Sequence, residues 1–267
     1  MKAKRSYDRD CRSMKLLLPF FGDKLLKDIT PALVERYRQK RLSEPSGRTP
    51  EKLTAPATVN REMACFKTIF NKAVNNGKAE RNPAQRLKML KENNERGRVL
   101  SPEEYARLLA HCPEQLKPVV KLAYYTGMRQ GEVLGLTWGQ VDLKEGFIRL
   151  RPEHTKTNEW RLVPLNRELV EMFKAMPRGL PGVRVFVYQG KAFGSSFQRA
   201  FETARKRAGI EDFTFHDLRH TAINNWRLQG HDFFRIMAVS GHKTMNVFKR
   251  YNTVSKDELR TLVGENR

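Results

Sequence analysis

The chain has 267 residues and carries 51 Lys and Arg against 29 Asp and Glu, for a formal net charge of +22. That length predicts about two domains, and a hydrophobic content of 39% with 15 Phe excludes wholesale disorder, which needs apolar poverty as well as charge. The charge calls for a polyanionic partner, with nucleic acid ahead of an anionic membrane surface or of a protein that is simply basic.

Near the N-terminus the apolar run Leu16 to Phe21 is six residues long and contains Pro19, far short of the ~18 residues of a membrane span. Asp8, Arg9, Asp10 and Arg12 stand where a signal peptide needs an apolar stretch. The first hundred residues read as helices. Thr30-Pro31 is a cap followed by Pro at the first helical position and opens a helix to about Leu42. Ser43 to Pro56 holds three Pro, a Gly and two Ser and is a loop. Thr58 is the expected cap of the next helix, where Val59, Met63, Phe66, Phe70 and Ala73 recur at helical spacing and Arg61, Lys67 and Lys72 fall on other faces. Gly77 supplies its stop. Residues 1–98 carry a net charge of +13 against +9 for the remaining 169, so the first third is the denser cationic surface.

From Lys91 to Arg98 every residue is polar, charged or Gly, which predicts a linker between domains at 1–90 and 99–267. Ser101-Pro102-Glu103-Glu104 is a capping box. A helix over about Glu114–Tyr125 leads to the Thr126-Gly127 break and a short helix ending near Trp138. The alternation over residues 147–151 predicts a strand, Trp160 to Leu165 its partner, and 183–188 a further apolar strand. Helices are expected over 166–175, 195–208, 216–229, 232–239 and 244–251, and a tail helix opens at a second capping box, Ser255 to Glu258. The fold class is therefore mainly α (α+β), with a small antiparallel sheet.

Four of the six histidines, His216, His220, His231 and His242, lie within 27 residues among Arg219, Arg227, Arg235 and Arg250. His216 and Arg219 are three apart and share a face of a helix. A zinc site needs anionic or thiolate ligands, and Cys11, Cys65 and Cys112 are odd in number and far apart, which fits a reduced compartment. No nucleotide-binding Gly-rich lysine loop is present. His and Arg without acidic ligands suit a phosphodiester pocket, although clustered histidines also occur on solvated faces.

Three motifs in order sharpen this: Tyr-Thr-Gly-Met-Arg-Gln-Gly-Glu-Val-Leu-Gly-Leu (125–136), His-Asp-Leu-Arg-His-Thr (216–221), and Gly241-His242 with Tyr251 nine residues on. They resemble the phage-integrase or tyrosine-recombinase family over about 99–260, and the helical 1–90 region is similar to that family's core-binding, DNA-binding domain. The resemblance implies an enzyme that breaks and rejoins DNA through a covalent 3′-phosphotyrosine, with no metal and no nucleotide cofactor.

Residue by residue, Arg129 and Arg219 match the family's two arginines, whose guanidiniums fork onto the non-bridging oxygens of one phosphate. The plain alternative for Arg129 is a salt bridge to Glu132. Lys156, in Thr-Lys-Thr-Asn between two strands, matches the hairpin lysine that protonates the departing 5′ oxygen; the alternative is an ordinary exposed hairpin Lys. His216 matches a proton carrier or phosphate donor, His242 a second donor to the same phosphate, and Tyr251 the nucleophile. His220 reads as packing, and Glu132 and Asp217 as orienting or capping groups. Val239-Ser240 replaces the apolar pair that usually precedes Gly-His, a departure expected to touch packing rather than chemistry.

The same resemblance implies duplex DNA with specific core sites as the partner, gripped by a C-shaped pair of domains. It also implies a homo-tetramer on DNA that is weakly associated or monomeric without it, accessory DNA-bending proteins, and a cytoplasmic, nucleoid-associated location. No basic module precedes residue 1, so the arm-binding module of the larger integrases is expected to be missing from this chain. A type IB topoisomerase-like enzyme and a non-catalytic DNA-binding protein of the same fold are the alternatives. Residues 255–263 suit the tail that the recombinases pass to a neighbour, and the matched positions all hold competent residues.

Overall fold

Thr30 and Pro31 begin a helix for two physical reasons. Thr30 is extended and its hydroxyl accepts the Leu33 N–H at 3.2 Å, while Pro31 lacks only an N–H that would have no partner inside the helix. The computed structural model describes residues 7–47, 49–92, 97–155, 159–248 and 259–260. It divides the chain into two compact units, Met1–Asn94 and Glu95–Arg267.

The first unit holds α1 (Tyr7–Phe21), α2 (Pro31–Ser43) and α3 (Pro56–Asn75). Pro19 lies inside α1; so near the C-terminal end it removes a single helical hydrogen bond, and the helix runs on to Phe21. α3 starts before Thr58. Ala55 occupies the cap position without a side-chain bond and Pro56 the first helical position, because the missing proline N–H costs nothing there. The expected stripe of Val59, Met63, Phe66 and Phe70 is buried against Leu17, Phe21, Val34 and Tyr37. Beside it the buried Glu62 carboxylate accepts the Tyr37 hydroxyl at 2.8 Å and two N–H groups of Arg41, at 3.0 and 2.9 Å. Asn60 pins the exit of the unit by exchanging two hydrogen bonds of 2.9 Å with the backbone of Leu90.

In the second unit, Ser101 and Glu104 form the expected capping box at the start of α4 (Pro102–His111). α5 (Lys117–Thr126) ends on Gly127, whose φ of +57° is one that glycine adopts without strain. α6 (Gln130–Gly135) follows, and a separate single turn spans Trp138–Gln140. The helix expected to reach Trp138 is interrupted because Leu136 turns extended and its carbonyl accepts the Val185 N–H at 2.9 Å.

A three-stranded antiparallel sheet comes next, in the order β1 (Val141–Asp142), β2 (Phe147–Leu150), β3 (Arg161–Pro164). Its register sets Ile148 opposite Val163 and Leu150 opposite Arg161, and all four are buried. The strand expected over 183–188 forms only at its end, where β4 (Val187–Tyr188) pairs with β5 (Lys191–Ala192). Val185 and Phe186 are both buried, and consecutive burial breaks the two-residue alternation of a strand.

The remaining helices are α7 (Arg167–Ala175), α8 (Ser195–Arg207), α9 (Asp217–Leu228), α10 (Phe233–Ser240) and α11 (Met245–Phe248). α7 to α10 end within a residue or two of their expected limits. The last residues of the helix expected over 244–251, and the capping box at Ser255 and Glu258, lie outside the described residues. α5 packs on α9 at the centre, in a core that includes Val119, Val120, Leu122, Phe197, Phe201, Phe215 and Leu218. The architecture is mainly α with small antiparallel sheets. Among the described residues no helix is long and apolar enough to cross a membrane.

Candidate active site

The site is built around the C-terminal end of α10. Helix C-termini carry partial negative charge on carbonyls that lack helical partners, and cations are stabilised there. Three arginines from three elements use these carbonyls. The Ser240 carbonyl accepts from Arg219 Nη2 at 2.6 Å and from Arg161 Nη1 at 2.8 Å. The Gly241 carbonyl accepts from Arg129 Nη2 at 3.0 Å. Arg219 also reaches a second helix end, donating from Nη1 to the Gly127 carbonyl beyond α5 at 2.7 Å.

Glu132, on α6, balances part of this charge. One oxygen accepts Arg129 Nη1 at 3.0 Å; the other accepts the Arg129 backbone N–H at 2.9 Å and pairs with Arg161 Nη2. Burial pushes its carboxyl up, but Arg161 and the backbone and guanidinium of Arg129 outweigh burial and hold it below the ordinary carboxylate range. The salt bridge between Arg129 and Glu132 is therefore real, and it is also part of the cluster.

The three guanidiniums differ in access. Arg219 is 1% exposed and the Arg161 side chain 5%, whereas Arg129 keeps 22% of its side chain exposed. Arg129 is the one that reaches the surface. Arg219, expected to share one phosphate with Arg129, lies buried between two helix ends, donating to the Gly127 and Ser240 carbonyls.

His242 is buried beside Arg219, its Nε2 3.1 Å from Arg219 Nη2 and its Nδ1 2.8 Å from Ser240 Oγ. Burial and then the neighbouring Arg219, Arg129 and Arg161 push its pKa down to about 3. The resting imidazole is neutral. Ser240, where the departure from the family pattern was expected to touch packing, accepts Arg161 and Arg219 through its backbone carbonyl and meets His242 through its hydroxyl. The reason is that Ser240 is the last residue of α10, where both its carbonyl and its hydroxyl face the cluster.

His216 stands at the start of α9 and is exposed, its ring edge-on to His220 with centroids 5.6 Å apart. Spacing of three puts His216 and Arg219 in different surroundings, one at the rim and one in the core. Asp217 acts as a local cap: its Oδ2 accepts the Thr214 N–H at 2.7 Å and the Thr214 hydroxyl at 2.8 Å.

Lys156 and Tyr251 lie outside the described residues; Thr155 and Glu159 on either side of the first gap are described, and the chain is described up to Phe248 before the second. Thr155 Oγ1 donates to the Glu159 carbonyl and accepts the Glu159 N–H, both at 3.1 Å. Glu159 is in turn ion-paired with Lys243, next to His242, at 2.7 Å. On the other side Phe248, three residues before Tyr251, is buried with its ring 5.8 Å from that of His242.

The Phage integrase family model matches residues 98–258, and the model of the phage integrase N-terminal domain matches residues 2–91. The chain belongs to the phage integrase family. It is similar to the shufflon-specific DNA recombinase of Escherichia coli, 38% identical over 231 residues, which are 85% of this chain and 58% of that protein. The integrase of Salmonella phage P22 is 29% identical over 96% of this chain and 74% of its own length. The chain thus spans little more than half of the shufflon recombinase. Among solved structures, a lambda integrase dimer bound to a COC′ core site matches with a TM-score of 0.77 at 20% identity, over 96% of this chain and 94% of that one. The Tn1549 transposon integrase in complex with circular intermediate DNA matches with a TM-score of 0.73 at 18% identity, over 99% and 94%. At these identities the structural likeness speaks for the fold.

Within this integrase fold, sequence reading missed Arg161. A signal was present: Arg161 and Val163 are two apart, and Val163 faces the core. Trp160 and Leu162 offered the opposite apolar phase, yet they are 65% and 56% exposed. Ser240 was noticed only as a departure from the family pattern. Among the described residues no group of three or more His, Cys, Asp or Glu is arranged to hold a metal ion.

Proposed function

We propose that this chain is a site-specific DNA recombinase that cuts and rejoins duplex DNA through a 3′-phosphotyrosine at Tyr251. The observation that carries the reading is the convergence of Arg129, Arg161, Arg219 and His242 on the end of α10, with Glu159 paired to Lys243 and Phe248 packed near His242. A ring of guanidiniums suits the extra negative charge of a phosphorane. Arg129 meets the phosphate at the surface, and Arg219 and Arg161 support it from behind.

In the proposed step the Tyr251 oxygen attacks phosphorus and the bond to the 5′ oxygen breaks. The phenolic proton passes to His216 and the leaving oxygen takes one from Lys156, giving a free 5′ hydroxyl. The reverse attack by a 5′ hydroxyl of another strand rejoins DNA and releases Tyr251, so bond energy is conserved without ATP. Residues 1–90 are read as the core-binding domain, 91–98 as the linker and 99–267 as the catalytic domain. Specific core sites, a homo-tetramer on DNA that is weakly associated without it, accessory DNA-bending proteins and a cytoplasmic, nucleoid-associated location complete the proposal.

The test is a nicked suicide substrate resolved on a denaturing gel, with gel-shift binding as control. The parent chain is expected to form a covalent adduct, and Tyr251→Phe to bind DNA normally and form none. An adduct with Tyr251→Phe would assign the nucleophile elsewhere. Binding without an adduct in the parent would favour a non-catalytic DNA-binding protein. Relaxation of supercoiled DNA by monomers, without strand exchange, would favour the topoisomerase-like alternative.

A further inference from the structure

The outward phase of β3 is apolar: Trp160, the residue before the strand, is 65% exposed and Leu162 56%. Across the sheet Arg149 stands opposite Leu162, and the same register carried two residues further sets Arg151 opposite Trp160. These two side chains meet. The Arg151 guanidinium lies over the indole, 5.8 Å from the ring centroid, within the range of a cation–π contact. Other charges on this edge are compensated, Arg149 by Asp142 at 2.6 Å and Glu159 by Lys243 at 2.7 Å. Arg151 is exposed, and among the described residues no carboxylate, that of the exposed Glu153 included, is ion-paired with it.

An indole left in water is a common anchor of a binding face, and a guanidinium stacked on it keeps its N–H fork for an anion. Chain length says which anion comes near. Arg151 and Trp160 are five and four residues from Lys156, so even a fully extended chain sets them no more than ~18 and ~14 Å away, about half a turn of duplex. We propose that Arg151 and Trp160 form a DNA-contacting pair beside the cleaved bond, with the guanidinium forked onto a flanking phosphate and the indole packed on the neighbouring deoxyribose. The proposal rests on the reading of Lys156 as the group that serves the leaving oxygen. Duplex DNA is the occupant because the uncompensated charge beside the indole is positive, in a chain whose surplus is +22. Such contacts hold the backbone next to the cut without reading its bases.

The direct test is acrylamide quenching of tryptophan fluorescence in the whole chain, free and bound to the nicked suicide substrate. Trp138 is buried and Trp226 half-buried, so Trp160 supplies most of the quenching, and Trp160→Phe confirms that assignment. The parent is expected to lose most of its quenching when DNA binds. Arg151→Ala is expected to weaken binding roughly fivefold and to lower the slope of log affinity against log salt by about one. Trp160→Ala is expected to weaken binding by a similar factor with the slope unchanged, since it removes no charge. Both side chains are exposed, so urea unfolding of the variants should match the parent; should one fail to fold, quenching of the parent decides. Unchanged quenching in the bound parent, or an unchanged salt slope in Arg151→Ala, overturns the proposal. Protection that grows with protein concentration in the absence of DNA assigns the face to a second copy of the chain and also overturns it. Should the parent bind the substrate without forming an adduct, the recombinase reading fails while quenching still decides whether this face meets DNA.

Discussion

Arg161 on β3 and Glu132 on α6 form an ion pair that is buried on both sides, with 5% and 4% of their side chains exposed. The other oxygen of the same carboxylate holds Arg129, so one anion serves two guanidiniums. Removing one partner of a buried pair leaves an uncompensated charge and costs about 3–5 kcal/mol. Glu132→Gln strands two cations, whereas Arg161→Met leaves Glu132 still paired with Arg129. Glu132→Gln is therefore expected to be the more destabilising. Urea unfolding followed by tryptophan fluorescence reads this cleanly, because Trp138, Trp160 and Trp226 all lie in the second unit. Equal losses, or a larger one for Arg161→Met, would contradict the arrangement.

Gly241 is required twice. Its φ is +71°, and a Cβ there would lie 2.2 Å from Arg161 Nη1. Gly241→Ala is expected to lower stability and to abolish the DNA adduct. Adding Arg161→Met removes the clash and leaves the backbone strain of about 1–2 kcal/mol. The double variant should thus be more stable than the sum of the two single losses predicts. Simple additivity in a double-mutant cycle would show that the close approach to Arg161 is not what excludes a side chain.

Acidification should weaken the second unit through His242. Its folded pKa, about 3, is below the ordinary ~6.5 of the unfolded chain. Between those values the unfolded chain binds a proton that the folded chain refuses, so this group's stability contribution is complete above pH ~6.5 and is lost as pH falls. The slope is up to about 1.4 kcal/mol per pH unit for one group. Thermal melts at pH 7 and pH 5 should drop further for the parent than for His242→Gln. Parallel pH dependence in the two chains would show that His242 is not the group responsible.

DNA affinity should fall steeply with salt, because Lys and Arg contacts to phosphates release counterions. With ~6–10 such contacts, the loss between 50 and 200 mM salt is on the order of 10³–10⁵. A nearly flat log–log plot would mean that the +22 surplus does not form the binding surface.

Strand cleavage should survive EDTA, since cationic side chains occupy the role that a metal ion plays in other phosphoryl-transfer sites. Loss of cleavage in chelator, restored by Mg²⁺, would reject the mechanism.

Much of this protein was legible in the residue order. The caps at Thr30 and Ser101, the stripe from Val59 to Phe70, and the limits of α7 to α10 follow from local chemistry: which side chains satisfy helix ends and which faces repeat every three or four residues. The motifs around Arg129, Arg219 and His242 were equally plain, because the residues that fix a site's chemistry sit in short runs of unusual composition. Tertiary structure decided the rest. Local pattern offered β3 two apolar phases, and only pairing with β2 and packing below the sheet turned Arg161 inward and left Trp160 and Leu162 outside. Sequence spacing put His216 and Arg219 on one face, whereas the two helix ends at Gly127 and Ser240 drew Arg219 into the interior. Ser240 is a further case: only the fold brings a histidine to its hydroxyl and two arginines to its carbonyl at the end of α10.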